Sequence, residues 1–120
     1  MTRPHVVATA VGIDPGTTRH ALASLEAYSD GMIWPRAAIY TEYNRSTVGS
    51  LFLALRARPA SLDGPAVPAG RIVLETVTGG LYARSKQRFR DVAATIASER
   101  LFRQLADEMG IAHVDRPAAH

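Results

Sequence analysis

Residues 6–13 (VVATAVGI) form an almost unbroken apolar run, rich in valine, that ends at Asp14 and is followed by Pro15-Gly16-Thr17-Thr18. No other feature constrains the fold as tightly. A strand of that composition is expected to be covered on both faces, which places it at the centre of a sheet. The Pro-Gly punctuation ends it sharply and leaves an acid at its carboxyl end. The next segments supply its neighbours. Residues 20–27 (HALASLEA) suit either a second strand or a short helix, and Ser29-Asp30-Gly31 makes a tight turn. Residues 32–42 return as a strand in which Pro35 marks a bulge or an edge position.

Asn44 or Ser46 can cap a helix whose apolar positions Val48, Leu51, Phe52 and Leu55 keep helical spacing. Arg56 and Arg58 are expected in its last turn, where the dipole favours cations, with Pro59 as the stop. Residues 59–70, with three prolines and two glycines, read as an ordered surface loop. Residues 71–76 (RIVLET) are a further apolar strand that runs into an acid, Glu75, before Thr78-Gly79-Gly80 breaks it. From about residue 86 to 109, Phe89, Val92, Ile96, Leu101, Leu105 and Met109 keep a helical stripe closed by Gly110. Residues 111–114 make a last short strand, and Pro117 ends the ordered chain.

The order strand-strand-strand-helix-strand-helix-strand defines an α/β domain with a five-stranded mixed sheet. Right-handed crossovers make the first, fourth and fifth strands parallel neighbours. Their carboxyl ends then share one sheet edge, where ligands and chemistry gather in open α/β sheets. At 120 residues and 47% hydrophobic, the chain is expected to be one domain, residues 1–120, with a packed core. Two complete lobes with a cleft between them do not fit. An active site must lie on the surface of this domain or be shared across an oligomer. The absence of cysteine removes disulfides, thiolate zinc sites and cysteine nucleophiles, and favours a reducing cytoplasm. No uncharged apolar run is long enough to span a bilayer. Arg3, a short apolar run and Ala8-Thr9-Ala10 imitate a signal peptide, but residues 6–13 read better as the first strand.

Two apolar strands therefore run into carboxylates, Asp14 and Glu75, at one sheet edge. Adjacent carboxylates repel unless a cation lies between them. Mg²⁺ suits an oxygen-only site of this kind, completed by water and phosphate oxygens. Such ions activate water and stabilise the leaving oxygen of a phosphodiester. The plainer alternative is that Asp14 caps the turn at Thr17 or Thr18 and that Glu75 is simply exposed beyond its strand.

Val11-Gly12-Ile13-Asp14-Pro15-Gly16-Thr17-Thr18 resembles the first-strand motif of the RuvC-type Holliday junction resolvases, within the ribonuclease H-like superfamily. Ile72-Val73-Leu74-Glu75 resembles their fourth strand, and the long helix and final short strand follow in the family's order. The resemblance implies a homodimeric endonuclease of bacterial or phage origin that nicks four-way DNA junctions. It also implies Mg²⁺, or Mn²⁺ in its place, on Asp14 and Glu75, and no other cofactor. Family members continue into a final helix carrying two more ligands, whereas this chain stops at His120, about where that helix begins. That leaves three expectations: a truncated chain, a chain that has lost catalysis, or another acid in place of the missing metal ligands, for which Asp115, following the fifth strand, is the in-chain candidate. His113 alternates with it and reads as a partly buried structural histidine.

The charge is placed to match. The net +3 is concentrated between residues 71 and 103, where seven basic side chains face three acids. Arg84, Lys86, Arg88 and Arg90 crowd the expected start of the long helix, where the dipole disfavours cations. Phosphate binding supplies the missing reason. Tyr82, on a loop after two glycines, is placed to stack on an opened base. A solvated basic helix face and an ordinary packed tyrosine are the plainer alternatives. Leu101 and Phe102 are adjacent and cannot both face one core, so a symmetric dimer is expected to bury one of them. Two other functions stay open. One is a DNA-binding dimer without catalysis. The other is a fragment of an actin-like or sugar-kinase ATPase, whose first phosphate loop Gly12-Ile13-Asp14-Pro15-Gly16-Thr17-Thr18 also resembles. The small resolvase-like proteins of ribosomal RNA maturation share the Asp14-Pro15-Gly16 region and Arg19, but their later motifs do not match Leu74-Glu75.

Overall fold

A computed structural model describes residues 3–76 and 89–117 of the chain. Its elements are β1 (Val6–Asp14), β2 (Arg19–Tyr28), β3 (Ile33–Glu42), α1 (Arg45–Leu53), β4 (Arg71–Thr76), α2 (Phe89–Met109) and β5 (Ala112–Pro117). The sheet order is β3-β2-β1-β4-β5, so the valine-rich first strand lies at its centre. β1 pairs antiparallel with β2 and parallel with β4, and β4 pairs parallel with β5. The right-handed crossover rule thus places the three parallel strands correctly. Residues 20–27 belong to a strand, because His20, Leu22, Ser24 and Glu26 alternate into the buried face. Pro35 serves both expected purposes: β3 is the edge strand, and the β2–β3 register shifts between Ser24 and Leu25, opposite Pro35.

The core lies on one face of the sheet. Val11, Ile13, Leu22, Ile72 and Leu74 point into it and meet Val48 and Phe52 of α1 and Phe102, Leu105 and Ala106 of α2. Burying side chains of this size stabilises the fold by about 1.5–3 kcal/mol each. The expectation that β1 is covered on both faces is corrected here. Its inner residues alternate between buried and half-exposed, because both described helices pack on the same side.

α1 starts as expected: the Asn44 side chain accepts from the Thr47 backbone N–H at 3.0 Å. It stops earlier than expected. Ala54, Leu55 and Arg56 donate to carbonyls three residues back, tightening the chain out of the helix before Arg56 and Arg58. Arg58 instead bridges Val67 through its backbone and sends its guanidinium to Glu26 at 3.0 Å. The proline-rich loop is ordered by that bridge and by a second between Ser61 and Gly64. α2 ends as expected on Gly110 (φ +70°), with Gly110 N–H donating to the Asp107 carbonyl and Ile111 N–H to that of Ala106. Both bonds satisfy carbonyls that the helix end would leave open.

Candidate functional site

Ile13 of β1 lies opposite Leu74 of β4 in the parallel ladder. One residue further along each strand come Asp14 and Glu75, neighbours across a strand spacing of about 4.8 Å. Ile13 and Leu74 point into the core, so the alternation of a strand turns both acids to the opposite face, against which neither described helix packs. There they line a cleft of about 740 Å³ whose floor includes Gly12, Ala21, Val73 and Arg116. Asp14 is exposed and Glu75 half-buried. The two carboxylates singled out by the sequence are thus brought together at the carboxyl edge of the parallel strands.

The turn that carries Asp14 is held from beneath. Pro15 is buried, and Gly16 passes so close to the next strand that a Cβ there would collide with the Arg19 carbonyl oxygen. The Gly16 N–H donates to Nδ1 of His20 at 3.1 Å. His20 is 2% exposed, and its ring meets Phe102 of α2 edge-on at 5.1 Å. Tyr43 packs on the other side of Phe102, at 5.5 Å. Burial lowers the His20 pKa from its ordinary 6.5, which keeps the ring neutral and able to accept from Gly16. No sequence motif singles out His20. Its signal lies in the alternation of HALASLE, where histidine occupies the same parity as Leu22.

The fifth strand departs from expectation. It runs through Pro117 rather than ending at Val114, so Asp115 lies within it and pairs in register with Leu74. That register turns Asp115 toward α2, where Arg103 donates to its two oxygens at 3.3 and 3.1 Å. Asp115 therefore stands apart from Asp14 and Glu75, on the helix side of the sheet. His113 shares that side, with Nε2 3.0 Å from Asp107, the structural placement expected of it. The β5 residues that do reach the cleft are Arg116, opposite Glu75, and Pro117. Tyr82, Arg84, Lys86 and Arg88 lie outside the described residues. Arg90 falls in the first turn of α2, and its side chain is outside them as well.

Asp14 and Glu75 offer hard oxygen donors, the type that Mg²⁺ takes in ones or twos alongside water and phosphate. Among the described residues no third acid or histidine converges on them. The donor set fits one such ion, not a fully protein-ligated pair. Also among the described residues, no helix is long and apolar enough to cross a membrane.

No protein-family model matches the chain, and no curated protein matches it in sequence. Among solved structures it is similar to T. thermophilus RuvC in complex with a Holliday junction substrate. The TM-score is 0.59 at 11% sequence identity, over 92% of this chain and 66% of that one. The chain thus spans just under two thirds of the length of the RuvC chain. The fold is ribonuclease H-like, a five-stranded mixed sheet with the strand order of that neighbour.

Proposed function

We propose that this chain forms the core of a metal-dependent endonuclease that cuts branched DNA, working as a homodimer. One observation carries the reading: the register that sets Asp14 beside Glu75 on the open face, at the carboxyl edge of three parallel strands. The likeness to RuvC supports it at the level of the fold. The two carboxylates would hold Mg²⁺, which supplies an activated water and offsets charge on the phosphodiester. Hydrolysis joins the water oxygen to phosphorus, breaks one P–O ester bond and leaves a hydroxyl and a phosphate monoester. The chain's own share is positional. β1 and β4 fix the spacing of the acids, and the His20–Gly16 bond fixes the turn behind Asp14. Tyr82, Arg84, Lys86, Arg88 and Arg90 are assigned to the DNA on the grounds of their sequence pattern. Leu101, 41% exposed on α2 while Phe102 is buried, supports pairing of two copies through that helix.

The test is nicking of a synthetic four-way DNA junction in Mg²⁺ by the native protein and by Asp14→Asn and Glu75→Gln. Each substitution is expected to lower the rate by about a thousandfold or more, as for other groups that hold a reaction centre. Sedimentation of the same samples reads the pairing, and a monomer would remove the dimer from the proposal. A second reading, a DNA-binding dimer without catalysis, is favoured by the want of a third acid at the cleft among the described residues. Tight junction binding with no nicking by the native protein would establish it in place of the first.

A further inference from the structure

We infer that Arg116 anchors a substrate phosphate beside the two acids, an assignment that rests on the nuclease reading of the same cleft. Arg116 stands opposite Glu75 in the β4–β5 ladder and lines the cleft with it and with Asp14. Across the sheet edge the order is cation, acid, acid. The position is enforced from behind. Asp115, one residue earlier, is gripped on the helix side by Arg103, and Arg103 is braced by Glu99 at 3.3 Å. A strand pinned on one face presents its next side chain on the other. Asp115 thus acts by orientation, through Arg116.

The chemistry of the cleft calls for such a group. Two carboxylates repel an incoming phosphodiester, and a positive charge beside them offsets that repulsion. A guanidinium matches two phosphate oxygens at once and keeps its proton at any physiological pH. The ion pairs of the described residues engage Arg36, Arg45, Arg58 and Arg103, and none of them engages Arg116. Its donors are therefore open to a ligand. Arg116 binds non-bridging oxygens and takes no part in proton transfer.

The experiment uses the full chain with a four-way DNA junction. Nicking in Mg²⁺ is measured for the native protein, Arg116→Gln and Arg116→Lys. Junction affinity is measured against salt concentration for the same three and for Asp14→Asn. Arg116→Gln is expected to raise KM about tenfold with kcat changed less than about threefold, as for loss of one charge-assisted contact made in both ground and transition states. The slope of log affinity against log salt should fall by about one, the signature of one lost phosphate contact. Arg116→Lys should keep the slope while losing part of the affinity. An unchanged thermal melt separates these effects from damage to the fold. If the native protein nicks and Arg116→Gln matches it in KM and slope, the anchor is overturned and the nuclease reading stands. If the native protein only binds, and Arg116→Gln still lowers the slope, the anchor stands and the nuclease reading falls. If the native protein neither nicks nor binds the junction, both are overturned.

Discussion

On the helix side of the sheet, Val11 and Ile13 of β1 and Ile72 and Leu74 of β4 are each 3% exposed or less. On the other side, the residues between and after them are Gly12, Asp14, Val73 and Glu75, all exposed or half-buried. The same two strands thus build both faces, and parity alone separates a dry core from a wet cleft. The difference has a physical basis. A carboxylate on the covered face must be paired to offset its desolvation, as Glu26 is by Arg36 and Arg58 at 3.2 and 3.0 Å. A carboxylate on the open face keeps its water and can exchange it for a cation or a phosphate-bound ion. Glu26 and Glu75 are both strand acids, and of the two only Glu75 lines the cleft with Asp14.

The largest expected effect lies on the covered face. Phe102→Ala removes a ring that is 1% exposed and that packs against both His20 and Tyr43. It should cost about 3–5 kcal/mol of stability in a denaturant melt. Val73→Ala, on the open face, should cost no more than about 1 kcal/mol. Equal losses would show that the cleft is packed as tightly as the core, and the contrast between the faces would fail.

His20 joins the two faces, lying in the core while accepting from the turn that carries Asp14. Its folded pKa is lowered, so below its ordinary 6.5 the unfolded chain takes up a proton that the folded one resists. The stability it contributes is full above pH 6.5 and is lost as the pH falls through the depressed folded pKa. The melting temperature should therefore drop on acidification from neutrality. His20→Gln, whose amide oxygen can still accept from Gly16, should flatten that part of the profile. A drop that persists unchanged in His20→Gln would assign the effect to other groups.

Much of this arrangement is legible in the sequence, for reasons that can be named. Apolar continuity marks β1 and β4, the crossover rule makes them parallel neighbours, and strand ends that stop at acids give Asp14 and Glu75. The hidden part depends on parity or on distant partners. The end of β5 decides whether Asp115 or Arg116 faces the cleft, and Val-Asp-Arg-Pro carries no alternation from which to read it. The pairing of Glu26 with Arg58 needs a loop 32 residues away to fold back. The run at residues 6–13 promises cover on both faces. Small residues such as Ala8, Ala10 and Gly12 are apolar by composition, but they let β1 show an open face without large exposed side chains of its own.

The smallest effect expected is also the one that separates orientation from ligation at β5. In Asp115→Asn, Arg103 keeps Glu99 as a partner, and the lost pair is partly solvated, with side chains 28% and 49% exposed. The cost in stability should therefore stay below about 1 kcal/mol. Nicking should fall by no more than about tenfold, through a less well-held Arg116, with the Mg²⁺ concentration for half-maximal activity unchanged. A metal ligand behaves differently: its loss weakens metal binding directly, and more metal is needed to restore the rate. If Asp115→Asn shifts the Mg²⁺ requirement, or abolishes nicking as fully as Asp14→Asn, then Asp115 turns into the cleft during the reaction. The Arg103 clamp would then be a resting contact that the substrate breaks.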